Sequence, residues 1–465
     1  MKKREFLAMG GAMPLMLAGC GGNGSGSAPT RLVNASVGYP GAMGFMDEST
    51  QITTGITYGN ASPYFNIEAG TVHLTLTTTV SGAEQAATAA QLRTVAKDQR
   101  YSLVAYGILD ELRLALVAEY NTALDANTAA VNVLNTSADI GAVDVYLSPT
   151  KSLSISTQIA SNVLATSTSP QQSQFALDIQ PGSYYITVVG AGSVAENISD
   201  VRFQTPSAIA LASGQVMTVI LTPGTSGVLA NAILLTQGTQ GTAVSYLNTT
   251  ARVRAVTAIS GTAVSVVGTN STGTSVTVLP SNSTPKLSNY FVVTTGNPPV
   301  VTVGGVALDP ATIMMDDPTS TAVPPAQIPA KLAAGGDYTL MVYLNGSTPT
   351  AKLVEDNNTA PVTAAGVKFR LINLASDNQG LEMSMTVNGS SVASNIPYAT
   401  ASSYTEVPNV PQTFNSTVKV VDGAAQLTEH VQVLPLGNIF TDIVVSVPAG
   451  GPVLDFFQAA SGTTA

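Results

Sequence analysis

The stretch His73-Leu-Thr-Leu-Thr-Thr-Thr-Val80 decides the fold class of this chain, because its side chains alternate between apolar and polar. Leu74, Leu76 and Val80 fall on one face, whereas His73 and three threonines fall on the other. A period of two is typical of a half-buried strand in an antiparallel sheet. The stretch therefore predicts a sheet with one face on a core.

The composition of the whole chain indicates the same class. Of its 465 residues, 45% are hydrophobic and only 10% are charged, against about 25% charged in ordinary globular proteins. Ser, Thr, Asn, Gln and Gly take the place of the charges, and Thr and Val favour strands while Gly and Asn favour turns. The net charge of -10 argues against nucleic-acid binding, which depends on Lys and Arg meeting phosphates.

Internal repeats divide the chain. Each repeat opens with a short apolar strand that runs into an Asn-containing turn: Arg31-Leu-Val-Asn34-Ala-Ser36, Val131-Asn-Val-Leu-Asn135-Thr-Ser137 and Phe369-Arg-Leu-Ile-Asn373-Leu-Ala-Ser376. Arg252-Val-Arg-Ala-Val-Thr257 is a degraded further copy. The spacing of the copies suits immunoglobulin-sized sandwiches of about 100 residues. We therefore expect an all-β protein of tandem immunoglobulin-like antiparallel β-sandwiches.

Later parts of the copies also correspond. A turn precedes a middle strand both at Glu68-Ala-Gly70 and at Gln180-Pro-Gly-Ser183. The alanine-rich segment 83–97 favours a helix by propensity alone, but the matching place in the other copies is strand-like. We therefore predict a strand over Leu92–Val95, followed by a hairpin turn at Lys97-Asp98-Gln99.

The copies resemble tandem domains of the bacterial domain-of-unknown-function family 4397, which are immunoglobulin-like sandwiches often found on lipoproteins. The resemblance is carried by the openings, by Asp139-Ile-Gly-Ala-Val-Asp144-Val-Tyr-Leu147 and by Pro181-Gly-Ser-Tyr184. It covers nearly all of the chain after Ala28 and is best in the second copy. The third copy lacks the opening turn and the Pro-Gly-Ser-Tyr element. Because no activity is attached to the family, the resemblance implies a fold and no function.

The N-terminus resembles the signal peptide and lipobox of a bacterial lipoprotein. A basic start is followed by the apolar run Phe6 to Ala18 and by Leu17-Ala18-Gly19-Cys20. The apolar run is too short for a transmembrane helix, which needs roughly 20 residues, and suits a signal peptide. Cys20 is the one cysteine of the chain, so it serves no internal disulfide. The resemblance implies cleavage before Cys20 and lipidation of its thiol, with acyl chains such as palmitate forming a membrane anchor.

The residues around Cys20 also indicate which membrane and which export route to expect. Gly21 follows it where aspartate would favour the inner membrane, so resemblance to Gram-negative lipoproteins implies the outer membrane. The segment Lys3-Arg4-Glu5-Phe6-Leu7 resembles a twin-arginine signal with lysine in the first basic place. Both this export route and the general secretory route remain open.

These features predict the following organisation: 1–19 lipoprotein signal peptide, 20–28 acylated Cys20 and flexible tether, 29–124 β-sandwich 1, 125–246 β-sandwich 2, 247–360 the divergent β-sandwich 3, and 361–465 β-sandwich 4.

Residues for catalysis are scarce in the sequence. The two histidines, His73 and His430, lie in different copies, each inside a predicted strand. No Gly-x-Ser-x-Gly elbow, His-Glu-x-x-His motif or Walker loop occurs. We therefore expect no enzyme, no catalytic residue and no cofactor, and we expect His73 to face solvent.

Carboxylates are the remaining candidates for a ligand site. Asp139 and Asp144 recur as Asp377 and Glu382 with the same offset after the opening strand. Such oxygens are weak candidates for calcium, which takes six to eight ligands. The alternative is that Asp139 and Asp377 accept hydrogen bonds from turn amides, while Asp144 and Glu382 face solvent.

Two further groups have plain alternatives. Asp316-Asp317 falls in a proline-rich segment, 310–329, that we expect to be a solvated loop. Four tyrosines occupy matching places in copies one and four and either line a binding edge or fill core and corner positions, namely Tyr58, Tyr64, Tyr398 and Tyr404. The chain has no tryptophan, which weakens a sugar-stacking interpretation.

The sequence thus predicts a non-catalytic cell-envelope lipoprotein with a structural, adhesive or ligand-presenting role. The alternatives are a carbohydrate-binding surface protein and, less favoured, a surface hydrolase. The expected partners are the membrane, through the lipid on Cys20, and an envelope protein or glycan.

Overall fold

The computed structural model describes residues 26–37, 41–80, 83–107, 112–165, 174–193, 200–238, 242–271, 273–317, 320, 325–359, 361, 363, 366–375, 380–408, 413–420, 426–433, 439–446 and 454–459. Eight sheets pair face to face into four sandwiches, because each of four apolar cores draws side chains from two sheets. The predicted all-β fold of tandem sandwiches is confirmed.

The strands of sandwich 1 are β1 (Ser27–Asn34), β2 (Met43–Asp47), β3 (Thr50–Ile56), β4 (Phe65–Glu68), β5 (Gly70–Val80), β6 (Ala83–Ala86), β7 (Gln91–Val95), β8 (Tyr101–Tyr106) and β9 (Arg113–Ala118). Those of sandwich 2 are β10 (Ala129–Asn135), β11 (Val143–Ser148), β12 (Thr157–Val163), β13 (Gln174–Ile179), β14 (Gly182–Gly190), β15 (Val201–Gln204), β16 (Ile209–Leu211), β17 (Val216–Pro223), β18 (Ala230–Thr236) and β19 (Ala243–Tyr246), with a 3₁₀ turn at Leu153–Ile155.

Sandwich 3 contains β20 (Thr250–Thr257), β21 (Val264–Thr269), β22 (Ser275–Asn282), β23 (Lys286–Leu287), β24 (Phe291–Thr294), β25 (Val300–Val303), β26 (Val306–Ala307), β27 (Met314–Asp316), β28 (Gln327–Pro329), β29 (Asp337–Asn345) and β30 (Thr348–Asp356), with a 3₁₀ turn at Pro310–Thr312. Sandwich 4 contains β31 (Val367–Asn373), β32 (Met383–Val387), β33 (Ser390–Ile396), β34 (Thr400–Ala401), β35 (Thr405–Val407), β36 (Thr413–Val420), β37 (Gln426–Val433), β38 (Ile439–Ser446) and β39 (Leu454–Ala459).

One parallel pair recurs in every sandwich. The opening strand lies parallel to the first strand of the closing hairpin, as β1 with β8, β10 with β17, β20 with β29, and β31 with β38. Parallel neighbours cannot be joined by a tight hairpin, so the strands of the second sheet supply the crossover. The antiparallel expectation holds for most other pairs and is wrong for this one.

The opening strands are buried on both faces. In β1, Leu32 belongs to the core of sandwich 1, while Val33 points the other way into a second apolar cluster. Every residue of β10 is likewise buried. A strand buried on both sides reads as a nearly continuous apolar run, which explains the appearance of the repeat openings.

The turn after each opening strand is closed by its last side chain. Asn34 Oδ1 accepts a hydrogen bond from the amide of Ser36 at 3.1 Å, and Asn135 and Asn373 make the same bond. In sandwich 3 the hydroxyl oxygen of Thr257 accepts from the amide of Ile259 at 3.1 Å. Asn and Thr both form such turns. The expectation that the third copy lacks the opening turn is therefore wrong.

Two local predictions have opposite outcomes. The alanine-rich segment forms β6 and β7, so the predicted strand over Leu92–Val95 is confirmed. The segment 310–329, expected to be a loop, instead contains β27 and β28, and β27 adds to sandwich 3 beside β30. Asp316 ends β27 and lies 3.0 Å from Lys352 Nζ. Within the described part of the chain, no helix has the length and hydropathy needed to cross a membrane.

Candidate functional site: the paired sandwich interfaces

Two apolar clusters join neighbouring sandwiches. One holds side chains of sandwiches 1 and 2, which are Val33, Ala35, Val104, Tyr106, Ala115, Val117, Leu134, Ile220, Ile233 and Leu235. The other joins sandwiches 3 and 4 through Val256, Ala258, Met341, Tyr343, Ile372, Leu374, Ile443 and Val445. The faces that single sandwiches would expose to water are therefore buried against each other. We call these units pair 1/2 and pair 3/4.

A polar position recurs in both interfaces. The parallel registers place Arg31 opposite Ser102 and Arg254 opposite Thr339. The equivalent positions of the even-numbered sandwiches are Arg370, opposite Thr441, and Asn132, opposite Thr218. Three of the four copies thus bury an arginine on the face that meets the neighbouring sandwich. A buried charge must be paired, so the partners of this position decide what the interface does.

In pair 3/4 one carboxylate serves two arginines. Asp356, at the end of β30, forms an ion pair with Arg370 of sandwich 4 and lies 3.8 Å from Arg254 Nε of sandwich 3. Thr339 Oγ1 and Tyr290 OH each donate to the same carboxylate at 2.6 Å. The side chain of Asp356 is 0% exposed and both arginine side chains are 1% exposed. The cluster therefore ties the two sandwiches together inside a dry interface.

Aromatic rings cover the guanidinium groups. The Arg370 guanidinium lies 4.5 Å from the ring centre of Tyr404, and that of Arg254 lies 4.8 Å from Tyr290. Cation–π contacts of this kind are strongest when water is excluded. Beside them, Arg252 donates from Nε to Asp337 Oδ1 at 2.8 Å, so sandwich 3 holds a second buried ion pair.

The charges of this cluster are fixed near neutral pH. Burial raises the pKa of Asp356, but Arg370 and Arg254 outweigh burial and hold that pKa below its usual value. Burial lowers the pKa of Arg370, but Asp356 beside it raises the pKa above the usual value. Burial raises the pKa of Tyr290 well above its ordinary value. A general acid or base needs a pKa near the working pH, so these groups are suited to binding one another rather than to moving protons.

Pair 1/2 contains a smaller version. Arg31 Nη2 lies 2.8 Å from Glu119 Oε1, and their side chains are 0% and 3% exposed. Tyr64 OH donates to Glu119 Oε2 at 2.6 Å, and the Tyr64 ring lies 4.7 Å from the Arg31 guanidinium. Arg31 Nη1 also donates to the carbonyl oxygen of Thr236 in sandwich 2 at 3.2 Å. The ion pair lies within sandwich 1, and the guanidinium group of Arg31 also hydrogen-bonds to sandwich 2.

Asn132 stands in pair 1/2 where Arg370 stands in pair 3/4. It is 0% exposed, and neither its amide nitrogen nor its amide oxygen has a partner among the described residues. An unpaired buried amide costs free energy. The polar link across this interface runs instead from the amide of Tyr120 to Gln237 Oε1 at 2.9 Å and from Gln237 Nε2 to Thr218 at 3.0 Å.

The comparison with family models concerns this first pair. Residues 28–146 match the model described as Domain of unknown function (DUF4397). We call residues 28–146 the DUF4397 segment. It runs from β1 to β11 and so holds all of sandwich 1 with the first two strands of sandwich 2. The resemblance inferred from the openings is confirmed for this segment, although the sequence motifs favoured the second copy. No curated protein matches the sequence.

The four tyrosines lie at the interfaces. Within the DUF4397 segment, Tyr58 OH hydrogen-bonds to Thr222 Oγ1 of sandwich 2 at 2.9 Å. Its counterpart Tyr398 donates to the carbonyl oxygen of Leu344 in sandwich 3 at 2.8 Å. Tyr64 and Tyr404 cover the arginines described above. The alternative of a solvent-facing binding edge therefore gives way to corner tyrosines that contact the neighbouring sandwich.

The predicted carboxylate pair of the DUF4397 segment has ordinary partners. Asp144 is buried, and its oxygens accept hydrogen bonds from the amides of Asn162 at 2.7 Å and Gly192 at 3.1 Å. The expectation that Asp144 faces solvent is wrong. Asp139 is half-buried in the turn after Ser137.

In the fourth copy Glu382 is exposed, and Asp377 lies outside the described residues. Across the described ranges, no group of three or more His, Cys, Asp or Glu side chains is arranged to hold a metal ion. Calcium binding stays a prediction.

The histidines and the cysteine are also placed differently. The His73 side chain is 51% exposed, with Nδ1 3.9 Å from Glu48 Oε1. His430 belongs to β37, but its side chain lies outside the described residues, as does Cys20.

Sequence reasoning missed the buried arginine position of the interfaces. The signal was present, because Arg31, Arg254 and Arg370 each interrupt an opening strand three residues before the Asn or Thr that closes its turn.

Proposed function

We propose that the protein is a non-catalytic cell-envelope lipoprotein with a structural, adhesive or ligand-presenting role. The paired interfaces carry this proposal. The buried arginines, tyrosines and carboxylates bind one another within and between the sandwiches. The chain as a whole is poor in charged residues and rich in Thr and Ser.

The anchor is the second part of the proposal. Cys20 would carry the lipid, and Gly21 to Ala28 (GGNGSGSA) would form a flexible Gly/Ser tether that lets sandwich 1 stand off the membrane. One acyl chain binds a membrane only marginally, so two or more are needed for lasting attachment. With Gly21 after the anchor, the outer membrane is the proposed location.

Replacement of the anchor tests this location. In cells, Cys20→Ser should move the protein from the membrane fraction to the soluble envelope fraction, and the intact protein should incorporate labelled palmitate. Gly21→Asp is the matched control, because it keeps the thiol and should change only the membrane in which the protein is found. An unchanged fractionation of Cys20→Ser would refute the anchor.

The partner is sought with the part of the chain after the tether. A fragment from Ala28 onward, applied to native envelope extracts, should retain a specific envelope protein or glycan. Recovery of a processed substrate instead of an intact partner would favour the surface hydrolase over the non-catalytic role.

A cleft between sandwiches 2 and 3 supports the carbohydrate-binding alternative. Its volume is about 70 Å³, and polar side chains including Lys151, Gln204, Asn248 and Asn270 line it together with Leu153. Amides and hydroxyls are suited to sugar hydroxyl groups, whereas the small volume admits only part of one ring. A glycan array bound by the intact protein and not by Gln204→Ala would establish this alternative, and a blank array would remove it.

A further inference from the structure

The four sandwiches are not joined with equal strength. Seven apolar clusters are formed by the described residues. One joins sandwich 1 to sandwich 2 and one joins sandwich 3 to sandwich 4. The other five stay within single sandwiches, so none of the seven joins sandwich 2 to sandwich 3. Hydrophobic burial is the main favourable term in association, and it acts within the pairs.

The contact between sandwiches 2 and 3 is polar. The loop 224–227 of sandwich 2 meets the chain before β29 and after β30. The amide of Ser226 donates to the carbonyl oxygen of Gly335 at 3.3 Å, and the amide of Asn358 donates to the carbonyl oxygen of Ser226 at 3.0 Å. Thr225 Oγ1 donates to the carbonyl oxygen of Ala334 at 3.4 Å. Each such bond contributes little net stability, because it replaces hydrogen bonds to water.

The strand directions explain why this contact is small. In sandwich 1 the opening strand β1 starts and the last strand β9 ends at the same end of the sheet. Sandwich 2 has one more strand, because β19 pairs antiparallel with β18 and returns the chain to the opposite end. Sandwich 3 therefore meets sandwich 2 end to end. The ends of sandwiches present turns, and turns bury little apolar surface.

The linker is fixed on one side. Asn248 donates from Nδ2 to the carbonyl oxygens of Arg202 and Ala230 at 2.8 and 2.9 Å, and its amide donates to Asn231 Oδ1 at 2.8 Å. The linker thus moves with sandwich 2 as far as Asn248, and β20 begins at Thr250. Asn248 Oδ1 also accepts hydrogen bonds from the amide and the hydroxyl of Thr250 at 2.9 and 2.7 Å, so hydrogen bonds of a single asparagine connect the linker to both sandwiches.

From these contacts we infer that the chain consists of two rigid bodies, pair 1/2 and pair 3/4, which rotate about a polar joint formed by loop 224–227, residues 334–336 and Asn358. Relative motion is the normal behaviour of domains whose interface is neither large nor hydrophobic. The inference rests on the contacts between sandwiches and is independent of the lipid anchor and of any partner.

Gly227 makes the close contact that holds this joint closed. Its φ is +120°, and a Cβ on it would overlap the carbonyl oxygen of Asn358. Replacement by alanine should therefore hold the joint open. Gly70 is the matched control, because its φ is +131° and a Cβ there would meet no atom of the described residues within 4 Å. Both variants have the backbone strain of a positive φ, but only Gly227→Ala places a Cβ against the joint.

Distances between spin labels test the inference in the full chain carrying Cys20→Ser. Labels on cysteines at the exposed positions Thr50 and Gln158 report on pair 1/2, and labels at Thr277 and Ser391 report on pair 3/4. Labels at Gln158 and Thr277 report across the joint. We expect narrow distance distributions within each pair and a broad one across the joint.

Gly227→Ala should shift the distribution across the joint to longer distances and leave both distributions within the pairs unchanged. Gly70→Ala should change none of the three. A distribution across the joint as narrow as the other two would overturn the inference, as would a broad distribution within either pair. If Gly227→Ala leaves the distribution across the joint unchanged, the contact between Gly227 and Asn358 does not hold the joint closed.

Discussion

Removal of the charge of Asp356 should loosen sandwiches 3 and 4 together. In Asp356→Asn the shape of the side chain is kept, but Arg254 and Arg370 lose the carboxylate that they share. Both arginines are then buried without a counter-charge. Since Asp356 ends β30 of sandwich 3 and pairs with β31 of sandwich 4, the damage should reach both sandwiches.

The expected magnitude follows from the burial of the cluster. Removing one partner of a buried ion pair costs about 3–5 kcal/mol. As 1.4 kcal/mol is a factor of ten in an equilibrium constant, amides protected by pair 3/4 should exchange roughly 10²- to 4 × 10³-fold faster. Asp316→Asn is the control, because the ion pair of Asp316 with Lys352 is partly exposed, and such pairs contribute about 1 kcal/mol or less.

Hydrogen exchange measured by mass spectrometry separates the sandwiches in one experiment. Peptides from β29 and β31 should lose protection in Asp356→Asn, while peptides from β1 and β10 should keep it. A third variant replaces Arg254 and Arg370 by Met and Asp356 by Leu. Because apolar residues of similar volume can substitute for a buried ionic cluster, this variant should regain most of the lost protection.

The effect also has a defined pH dependence. The pKa of Asp356 is lowered in the folded protein, so its contribution is fully present above the pKa of the unfolded chain, about 3.9. It is lost as the pH falls through the lower folded pKa. The difference between the protein and Asp356→Asn should therefore be constant from pH 5 to 8. Equal exchange rates in Asp356→Asn and Asp316→Asn would refute the reasoning.

Three other changes have expected outcomes. Asn132→Leu should raise the melting temperature of pair 1/2, because it removes the unpaired buried amide at a gain of about 1–3 kcal/mol; a lower melting temperature would indicate a hidden partner. Burial and then Glu48 raise the pKa of Asp47, so the fold loses stability as the pH rises from the unfolded pKa of Asp47 to its higher folded pKa. Asp47→Asn should therefore stabilise sandwich 1 at pH 7 and not at pH 3, which thermal scans at both pH values will check. Gly44→Ala should destabilise sandwich 1 in urea unfolding, because a Cβ would overlap the Thr53 carbonyl oxygen, whereas a Cβ at Gly55 meets no atom of the described chain within 4 Å and Gly55→Ala should show only the cost of its positive φ.

The sheet content was predictable because it depends on local patterns. Alternation in β5 and the apolar openings identify strands whatever their neighbours are. For β7 the local propensity of the alanine-rich segment favoured a helix, and the strand was identified by comparison with the other copies. Local patterns failed for β27 and β28, because short edge strands in a proline-rich segment are held by pairing with β30 and have little pattern of their own.

The pairing of sandwiches was not predictable from those patterns. In the sequence, an apolar face that meets another sandwich looks the same as one that meets the second sheet of its own sandwich. The opening strand β10 is therefore apolar on both faces, and its sequence does not show which face meets which partner. Arg31 and Arg370 were visible as charges in apolar strands, but their partners Glu119 and Asp356 lie at the ends of closing strands. Asp144 was misplaced because its acceptor role depends on Asn162 and Gly192, which the fold brings to it.

The extra strand β19 determines how the chain carries tension. A pull between the N-terminus and sandwich 3 enters and leaves sandwich 1 at one end, so it passes beside that sheet. In sandwich 2 the same pull runs along the strands from β10 to β19 and loads the ladders between them in shear. Four register pairs join β18 to β19, against seven between β17 and β18. Because the β18–β19 ladder shares this shear among fewer pairs, we expect it to separate before the β17–β18 ladder, which would lengthen the molecule while the other strands of sandwich 2 stay folded.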